Sequence, residues 1–372
     1  MGLTLIAYDH QTFTYQSYGG ISRYYTILAG ELLKQNQDVG VFAGIHRNNY
    51  VEDLPADVVR GYKLAKYPPK TGRIFQWLNH GISQAQMKLW QPDIIHESYY
   101  SALSRLSTNT VRVTTVYDMI HELYSDQFPN LDRTTQWKKK TFSRVDHILS
   151  ISHSTKKDLV ELFGIAEDKI SVVHLGVDLS VFQTEKSKLV INDKPYLLYV
   201  GTRSGYKNFA GFVKAFASSS QLKANFDIIA FGGGKLNSAE HSLIKQLGLD
   251  TAHVRQVSGD DQKLTQLYAN ATAFVFPSLY EGFGLPPLEA MAAGCPVVSS
   301  NTSSMPEVVR NAGEYFDPNN IESIRTAIEQ VVFSEDLRRN LITAGYENIK
   351  SFSWQKCATE TLGIYQKLTG KI

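Results

Sequence analysis

Short apolar runs rich in β-branched residues recur along this chain and are separated by stretches whose apolar residues have helical spacing. Six runs come before residue 180, at 3–8, 39–43, 93–96, 111–117, 147–151 and 170–173. Five more follow, at 196–200, 226–231, 253–257, 273–276 and 296–299. Apolar strands that alternate with helices form parallel sheets covered on both faces. The chain is therefore predicted to be an α/β protein with two parallel-sheet domains.

A polar stretch separates the two sets of runs. Residues 178–194 hold few apolar side chains, which is typical of a linker. After residue 320 only helical spacing remains, over 321–332, 336–349 and 354–368. We therefore predict a first domain at residues 1–180, a second domain at 181–353 and a terminal helix within 354–372.

Charge and cysteine content exclude several classes of protein. The 372 residues contain 38 Lys and Arg against 36 Asp and Glu, which is too balanced for wide contact with nucleic acid phosphates. Cys295 and Cys357 provide neither a disulfide framework nor metal-ligand spacing. The first residues lack a basic segment, and no stretch approaches the ~18 apolar residues of a membrane span. We expect a cytoplasmic protein.

The strongest local motif runs from Phe276 to Pro296 and indicates a strand, a glycine-containing loop and a helix. Pro286 suits a first helical turn, where its missing N–H leaves no bond unmade, and Gly294 suits the helix end. Four residues supply the backbone N–H groups at the start of this helix: Gly282, Phe283, Gly284 and Leu285. Because they follow a parallel strand, an anionic ligand is expected there.

Two glutamates flank this loop. Glu281 lies between Tyr280 and a glycine and has no helix of its own to cap, so a hydrogen bond to a ligand hydroxyl is the favoured interpretation. Glu289 falls inside the predicted helix, where a carboxylate can act on the helix dipole alone. Its role stays open between that and ligand binding.

Two further turns follow strands of the second domain. Arg203 and Lys207 precede a predicted helix, and a diphosphate needs several cationic donors, although a pair of solvated loop cations is the alternative. The turn 231–236 has three consecutive glycines but fits neither a P-loop nor the dinucleotide motif. It is predicted to be a strand-to-helix turn that lines the nucleotide site.

The first domain offers two candidate sites. Gly19 and Gly20 precede an amphipathic helix, where a backbone without Cβ atoms can approach a ligand closely, although a plain tight turn remains an alternative. Asp118 and His121 come just after a predicted strand, at the edge where ligands bind parallel sheets. A purely structural role for His121 stays open.

Basic residues cluster around Trp137. They are Arg133, Lys138, Lys139, Lys140 and Arg144. A solvated helix surface explains them simply. The alternative, favoured by the tryptophan among the lysines, is peripheral contact with anionic lipid headgroups on the inner face of the membrane, or with an acidic acceptor.

The motif around Glu281 and Glu289 resembles the signature of the family 4 retaining glycosyltransferases of the GT-B fold. Similar segments span nearly the whole chain, at 19–24, 116–122, 151–155, 173–178 and 199–209. The resemblance implies two Rossmann-like domains facing a cleft, with a terminal helix that crosses back to the N-terminal domain. It also implies a nucleoside diphosphate sugar held mainly by the C-terminal domain and an acceptor held mainly by the N-terminal one.

The resemblance also implies roles for individual residues. For catalysis it implies Glu281, Asp118 and His121. For donor binding it implies Gly19, Gly20, Arg203, Lys207, Gly282, Phe283, Gly284, Leu285 and Glu289. The donor, GDP-mannose or a UDP-hexose, is a substrate, and neither a separate cofactor nor a metal is implied. The sequence departs from relatives at Tyr117, where some have histidine, and at Arg203, since many carry their arginine directly before the lysine.

We therefore predict a retaining hexosyltransferase, with mannose favoured, that acts on a glycan or lipid-linked acceptor in cell-surface polysaccharide synthesis. A sugar-nucleotide epimerase or a glycan phosphorylase of the same fold is an alternative. A nicotinamide oxidoreductase shares the strand and helix pattern but needs the dinucleotide motif that this chain lacks. A non-catalytic glycan-binding protein would not need Arg203 and Lys207, the cations that follow the predicted strand 196–200.

Overall fold

The computed structural model describes residues 3–103, 110–129, 131–178, 182, 194–203 and 205–371. The chain divides into two compact units, one formed by Met1–Gly176 with Trp354–Ile372 and the other by Val177–Ser353. The predicted boundary between residues 180 and 181 lies outside the described residues, as does the predicted linker 178–194 apart from residues 178, 182 and 194.

Seven strands among the described residues of the first unit form one sheet, and all neighbouring strands are parallel. They are β1 Leu5–Tyr8, β2 Asp38–His46, β3 Val59–Lys63, β4 Ile94–Glu97, β5 Val111–Val116, β6 His147–Ser150 and β7 Ile170–Val172. Their order across the sheet is β3-β2-β1-β4-β5-β6-β7. The connections reverse direction between β1 and β4, which makes this the switch point of a doubly wound sheet.

Helices connect these strands. They are α1 Gln11–Tyr15, α2 Gly20–Lys34, α3 Gly72–Trp90, α4 Ile120–Leu123, α5 Thr134–Phe142 and α6 His153–Phe163, with 3₁₀ turns at Tyr50–Asp53, Ser125–Gln127 and Glu167–Lys169. The ends of α6 show how local chemistry sets a boundary. The Ser152 hydroxyl accepts the Thr155 N–H at the start, and Gly164 ends the helix in the left-handed conformation.

The described part of the second unit contains a six-stranded parallel sheet. Its strands are β8 Tyr196–Val200, β9 Asp227–Phe231, β10 Val254–Val257, β11 Ala273–Phe276, β12 Val297–Ser300 and β13 Gly313–Phe316. The order is β10-β9-β8-β11-β12-β13, so the switch point lies between β8 and β11.

The helices of the second unit cover both faces of its sheet. They are α7 Phe209–Ser218, α8 Ser220–Asn225, α9 Ser238–Gln246, α10 Asp261–Asn270, α11 Leu285–Ala292, α12 Met305–Val309, α13 Ile321–Phe333 and α14 Glu335–Ile349, with 3₁₀ turns at Gly205–Lys207 and Arg310–Ala312. Phe212 and Phe216 of α7 pack with Ile328 of α13 and with strand residues such as Leu197 in a fully buried core.

The terminal helix, α15 Trp354–Thr369, belongs to the first unit. Its Tyr365 hydroxyl lies 2.5 Å from Nδ1 of His96 on β4, and the Trp354 ring packs against Tyr24 of α2. Because these contacts are buried, α15 is part of the core of this unit. No helix in the described ranges is both long and apolar enough to cross a bilayer.

The prediction of two parallel-sheet domains is confirmed, and each of the eleven predicted runs contains a strand. Strands β3 and β13 were not predicted. Both lie at sheet edges, and of their residues only Phe316 is fully buried. An edge strand has one neighbour and can expose its side chains, so it need not carry the apolar run that marks a central strand.

Candidate active site

A salt bridge occupies the switch point of the second sheet. Lys207 ends the 3₁₀ turn after β8, and Glu281 lies in the loop after the neighbouring strand β11. The Lys207 Nζ is 2.6 Å from Glu281 Oε1, and the two side chains keep 20% and 11% of their surface exposed. The sequence predicted a ligand role for both residues, and the structure brings them together at the carboxyl edge where doubly wound sheets bind ligands.

Hydroxyl groups that follow β12 hold the loop bearing Glu281. The Ser304 Oγ is 2.9 Å from the carbonyl oxygens of both Glu281 and Phe283, to which it can donate. The Ser303 hydroxyl also donates to the Glu281 carbonyl and accepts the Glu281 N–H at 3.2 Å. Because these bonds are to the backbone, they fix the position of the Glu281 side chain without using its carboxylate.

The segments that carry Lys207 and Glu281 are also hydrogen-bonded to each other. The Leu279 N–H donates to the Tyr206 carbonyl at 2.7 Å, so the loop after β11 is bonded to the turn after β8. The Tyr199 hydroxyl donates to the Thr202 carbonyl within that turn. Neither Ser303 nor Ser304 was predicted as a site residue, although small hydroxyl residues shortly after a central parallel strand are a sequence signal for such a role.

Helix α11 begins at Leu285, directly after the loop. Gly284 has φ 104°, and a Cβ on it would lie 2.4 Å from the Met305 Cε, so a glycine is needed on both counts. Gly282 and Phe283 are also buried, and Leu285 is half-buried. The predicted donor-binding loop is therefore a packed and defined structure at a helix N-terminus.

Glu289 is the fifth residue of α11, beyond the first four N–H groups that lack a partner within the helix. It is therefore not an N-terminal cap. The Tyr268 hydroxyl donates to Glu289 Oε2 at 3.2 Å. Burial raises the pKa of Tyr268 well above its usual value, and the Glu289 carboxylate raises it further, so Tyr268 stays protonated and remains a donor.

Arg203, for which the sequence predicts a phosphate contact, has hydrogen-bond partners within its own unit. Its Nε donates to Glu240 Oε1 at 2.9 Å, and Nη1 donates to the Gly232 carbonyl at 2.7 Å. Nη2 lies 2.9 and 3.0 Å from the carbonyls of Gly234 and Lys235. The side chain is 3% exposed. These donors bind the carbonyl oxygens of the glycine turn after β9. The guanidinium therefore stabilises that turn within its own unit.

Comparisons with known proteins identify the family of this chain. Residues 18–181 match the family model described as Glycosyltransferase Family 4, and residues 181–348 match the model described as Glycosyl transferases group 1. O-antigen chain mannosyltransferase B of Escherichia coli is 31% identical over 271 residues, which cover 69% of this chain and 70% of that protein. The chain is a family 4 glycosyltransferase.

Other relatives and solved structures extend the comparison. The glycosyltransferase is 28% identical over 245 residues to the MMP alpha-(1->4)-mannosyltransferase of Mycolicibacterium hassiacum, covering 64% of this chain and 58% of that protein. A sucrose-phosphate synthase from Thermosynechococcus elongatus has a TM-score of 0.79, with 20% identity and full coverage of both chains. Anabaena HepE, solved with UDP and glucose, has a TM-score of 0.69 with 16% identity, covering 98% of this chain and 99% of that one. The structures confirm the GT-B fold.

In the first unit of the glycosyltransferase, Gly19 and Gly20 lie at the start of α2. The Gly19 carbonyl accepts the Ser22 hydroxyl and the Arg23 N–H, each at 3.0 Å. A Cβ on Gly19 would lie 2.4 Å from the Gln16 side chain, whereas a Cβ on Gly20 would meet no atom within 4 Å. Gly20 therefore presents open backbone at a helix N-terminus.

Asp118 and His121 follow β5 but have separate partners. The Asp118 Oδ1 accepts the Ile120 N–H at 3.0 Å, at the start of α4. The His121 ring stacks on Phe128 with centroids 4.0 Å apart, and its Nε2 is 3.5 Å from Asp132 Oδ2. The predicted catalytic residues are therefore near in sequence, but their side chains face different neighbours.

The membrane hypothesis requires the basic cluster to face solvent. Two of its members instead pair with carboxylates of the first unit. Lys138 is 1% exposed, and its Nζ donates to the Asp118 carbonyl at 2.8 Å and to Glu122 Oε2 at 2.7 Å. Arg144 pairs with the buried Glu97 at 2.5 Å. Lys138 lies on the inward face of α5, and Arg144 lies just after the helix, where Glu97 holds it. The exposed basic residues of the cluster are Arg133, Lys139 and Lys140.

Proposed function

We propose that this glycosyltransferase moves a hexose, with mannose favoured, from a nucleoside diphosphate sugar to a hydroxyl of a glycan or lipid-linked acceptor, with retention at the anomeric carbon. The observation that carries the proposal is the Lys207–Glu281 pair at the switch point of the second sheet. Support for the donor class comes from HepE, which was solved with UDP and glucose. Support for mannose and for polysaccharide synthesis comes from the O-antigen mannosyltransferase relatives.

Lys207 supplies the positive charge that the donor diphosphate needs. Backbone N–H groups of residues 282–285, at the N-terminus of α11, add dipoles of the same sign. As the bond between the anomeric carbon and the phosphate oxygen breaks, negative charge grows on the leaving diphosphate, and these groups stabilise it. This arrangement requires no divalent metal, so EDTA is expected to leave turnover unchanged.

Glu281 is assigned to the transferred sugar. Its partly exposed carboxylate accepts hydrogen bonds from sugar hydroxyls. Hydrogen bonds from Ser303 and Ser304 to the Glu281 backbone hold the residue in place. The acceptor oxygen forms its bond to the anomeric carbon on the face that the phosphate leaves. The acceptor proton passes to the departing phosphate oxygen, so the products are the α-glycoside of an α-linked donor and the nucleoside diphosphate.

Other residues receive supporting roles. Arg203 is assigned to positioning the turn 232–235, and its contact with the donor phosphate stays a prediction. Glu289, oriented by Tyr268, is assigned to the ribose hydroxyls. Asp118 and His121 remain proposed contacts of the transferring sugar.

Gly20 remains a proposed contact of the donor diphosphate, and the chain offers a matched control for it. Gly72 also begins a helix, and a Cβ there also meets no atom within 4 Å. Gly20→Val is expected to lower the affinity for donor, while Gly72→Val leaves it unchanged. Equal effects of the two substitutions would remove Gly20 from the site.

The proposed reaction is tested by incubating the enzyme with a sugar acceptor, such as an alkyl mannoside, and with GDP-mannose, UDP-glucose or related donors, and following nucleoside diphosphate release. Proton NMR of the glycoside product then gives the anomeric configuration. We expect faster release from GDP-mannose than from UDP-glucose, and an α-linked product. Release from neither class, or a β-linked product from an α-linked donor, would contradict the proposal.

A further inference from the structure

Helix α3 has the reverse of the usual amphipathic pattern. Its buried residues are mostly polar, namely Asn79, Ser83, Gln84 and Met87. Five of its large apolar residues are exposed, namely Ile74, Trp77, Leu78, Ile82 and Leu89. A surface helix of a globular protein normally places its apolar stripe toward the core. The exposed stripe therefore requires an explanation outside the core of this unit.

The polar contacts of Asn79 fix this orientation. Its Nδ2 donates to the Ile45 carbonyl and its Oδ1 accepts the Ile45 N–H, each at 2.7 Å. The same Nδ2 donates to the Thr14 Oγ1 at 2.9 Å. Ile45 lies just after the register shift of β2 at Gly44, where the Asn79 side chain completes the backbone bonding. Turning the stripe inward would break these three hydrogen bonds of the buried Asn79 side chain, so the exposed stripe is a property of the fold.

The stripe continues onto the segment before α5. Trp77 is 67% exposed, and it shares a cleft of about 550 Å³ with Leu131 and Trp137. Leu131 is itself 86% exposed. We call the residues Ile74, Trp77, Leu78, Ile82 and Leu131 the α3 surface. A cluster of large apolar side chains of this kind marks an interaction site.

The charges around the α3 surface select the partner. Helix α3, which is described throughout, contains no Asp or Glu, and its charged residues are Arg73 and Lys88. Exposed cations also surround the shared cleft and α5, namely Lys70, Arg133, Lys139 and Lys140. One carboxylate, Asp132, lines the cleft, and it already accepts the Thr134 N–H at 2.7 Å and faces His121.

We propose that the α3 surface lies in the headgroup region of a bilayer that contains anionic lipids. An apolar stripe with Trp and Leu, edged by Lys and Arg, is the pattern of a helix that lies in the plane of a membrane interface. The cations bind the headgroups, and the stripe enters the boundary of the acyl chains. A second copy of this chain would bring the same cations into apposition, which disfavours self-association through this surface. The inference does not depend on the donor or the acceptor assigned above.

The test is co-sedimentation of the full chain with vesicles of phosphatidylcholine alone or with added phosphatidylglycerol. We expect binding to the anionic vesicles that weakens as salt is raised and is much weaker on phosphatidylcholine alone. Leu78→Glu is expected to lower the affinity at least about tenfold, because it removes apolar burial and adds a repelled charge. Arg73→Gln is expected to lower it roughly fivefold.

Leu162→Glu is the matched control, because Leu162 is also a helical leucine of the first unit and is exposed to a similar degree, 44% against 48% for Leu78. It is expected to bind vesicles like the unmodified protein, and the thermal unfolding midpoint of each variant shows that it is folded. Equal effects of the two glutamates, or no binding to anionic vesicles, would overturn the proposal. So would a dimer in sedimentation velocity that Leu78→Glu dissociates, since the surface would then bind a second copy.

Discussion

The switch points of the two sheets are built on the same topology but hold different chemistry. In the second sheet Lys207 and Glu281 form a salt bridge with each other, and both side chains are partly exposed. In the first sheet the switch point between β1 and β4 is closed. The Asp9 Oδ1 accepts the Ser98 N–H at 2.9 Å and the Ser98 hydroxyl at 2.7 Å, and both residues are buried.

The surroundings of the two switch points differ in the same way. Behind the first one, His96 lies among the rings of Tyr8, Tyr25 and Tyr365, and all four side chains are buried. A buried carboxylate keeps its hydrogen-bond partners, because leaving it unpaired in the core costs free energy, whereas a partly exposed pair can exchange its partner for a ligand. The topology therefore places a crevice at the carboxyl edge of each sheet. The side chains that line a crevice decide whether it can bind a charged ligand.

The largest effect is expected from Glu281→Gln. If the second switch point holds the transferring sugar, loss of the carboxylate lowers kcat by about 10²–10³, the range seen when one preorganised group is removed from an active site. Affinity for the free nucleoside diphosphate is expected to change little. The control is Glu322→Gln, a glutamate of the same unit that pairs with Arg325 at the surface. Equal turnover of the two variants would contradict the assignment.

Lys207→Ala is expected to weaken binding of GDP or UDP by about 1.5–3 kcal/mol, the value of a hydrogen bond to a charged group. Calorimetry gives the affinity directly. Lys350→Ala provides a control, because Lys350 pairs with Glu347 at the same 2.6 Å separation but on the surface. Unchanged affinity in the Lys207 variant would show that the pair at the switch point is structural, as in the first sheet.

Most of the architecture could be predicted from the sequence because central parallel strands are buried on both faces and carry apolar runs. The predicted limits of these strands and of helices α13, α14 and α15 lie within a few residues of those in the structure. Two of the four edge strands, β3 and β13, were missed for the reason given above. No helix was predicted for residues 72–90, and the periodicity of α3 would not have shown which face lies inward, since that depends on Asn79 and the irregular strand β2.

The candidate site could be predicted in part. The glycine loop and Lys207 are readable because motif residues directly follow apolar strands. The contacts of Arg203 and Lys138 could not be predicted from the sequence, because they depend on residues distant in sequence, such as Glu240 for Arg203. A cation next to a motif looks the same in sequence whether it faces a ligand or a carbonyl oxygen of its own domain.

The third prediction tests the closed switch point. Ser98→Ala is expected to lower the free energy of unfolding by about 1–3 kcal/mol, because it removes a donor from the buried Asp9 carboxylate and an acceptor from the Thr12 N–H. Nucleotide affinity is expected to stay unchanged. Denaturant titration with Ser143→Ala, a serine on the surface, gives the reference. Weaker nucleotide binding in the Ser98 variant would mean that the first switch point also binds the donor.

The fourth prediction tests the burial of His96 through the pH dependence of stability. Burial lowers the pKa of His96 to about 3, against an ordinary value near 6.5, so the folded chain holds this ring neutral while the unfolded chain protonates it. Between those two values the unfolded state binds more protons, and stability therefore falls with falling pH by up to about 1.4 kcal/mol per pH unit from this residue.

His96→Gln removes that titration while it keeps a polar group between Thr115 and Tyr365. The variant is expected to be less stable at neutral pH but to lose stability less steeply between pH 6.5 and pH 4. Urea titrations across this range measure both slopes. Parallel slopes would show that His96 takes up its proton in the folded state, and the buried cluster behind the first switch point would then be as open to water as the pair in the second sheet.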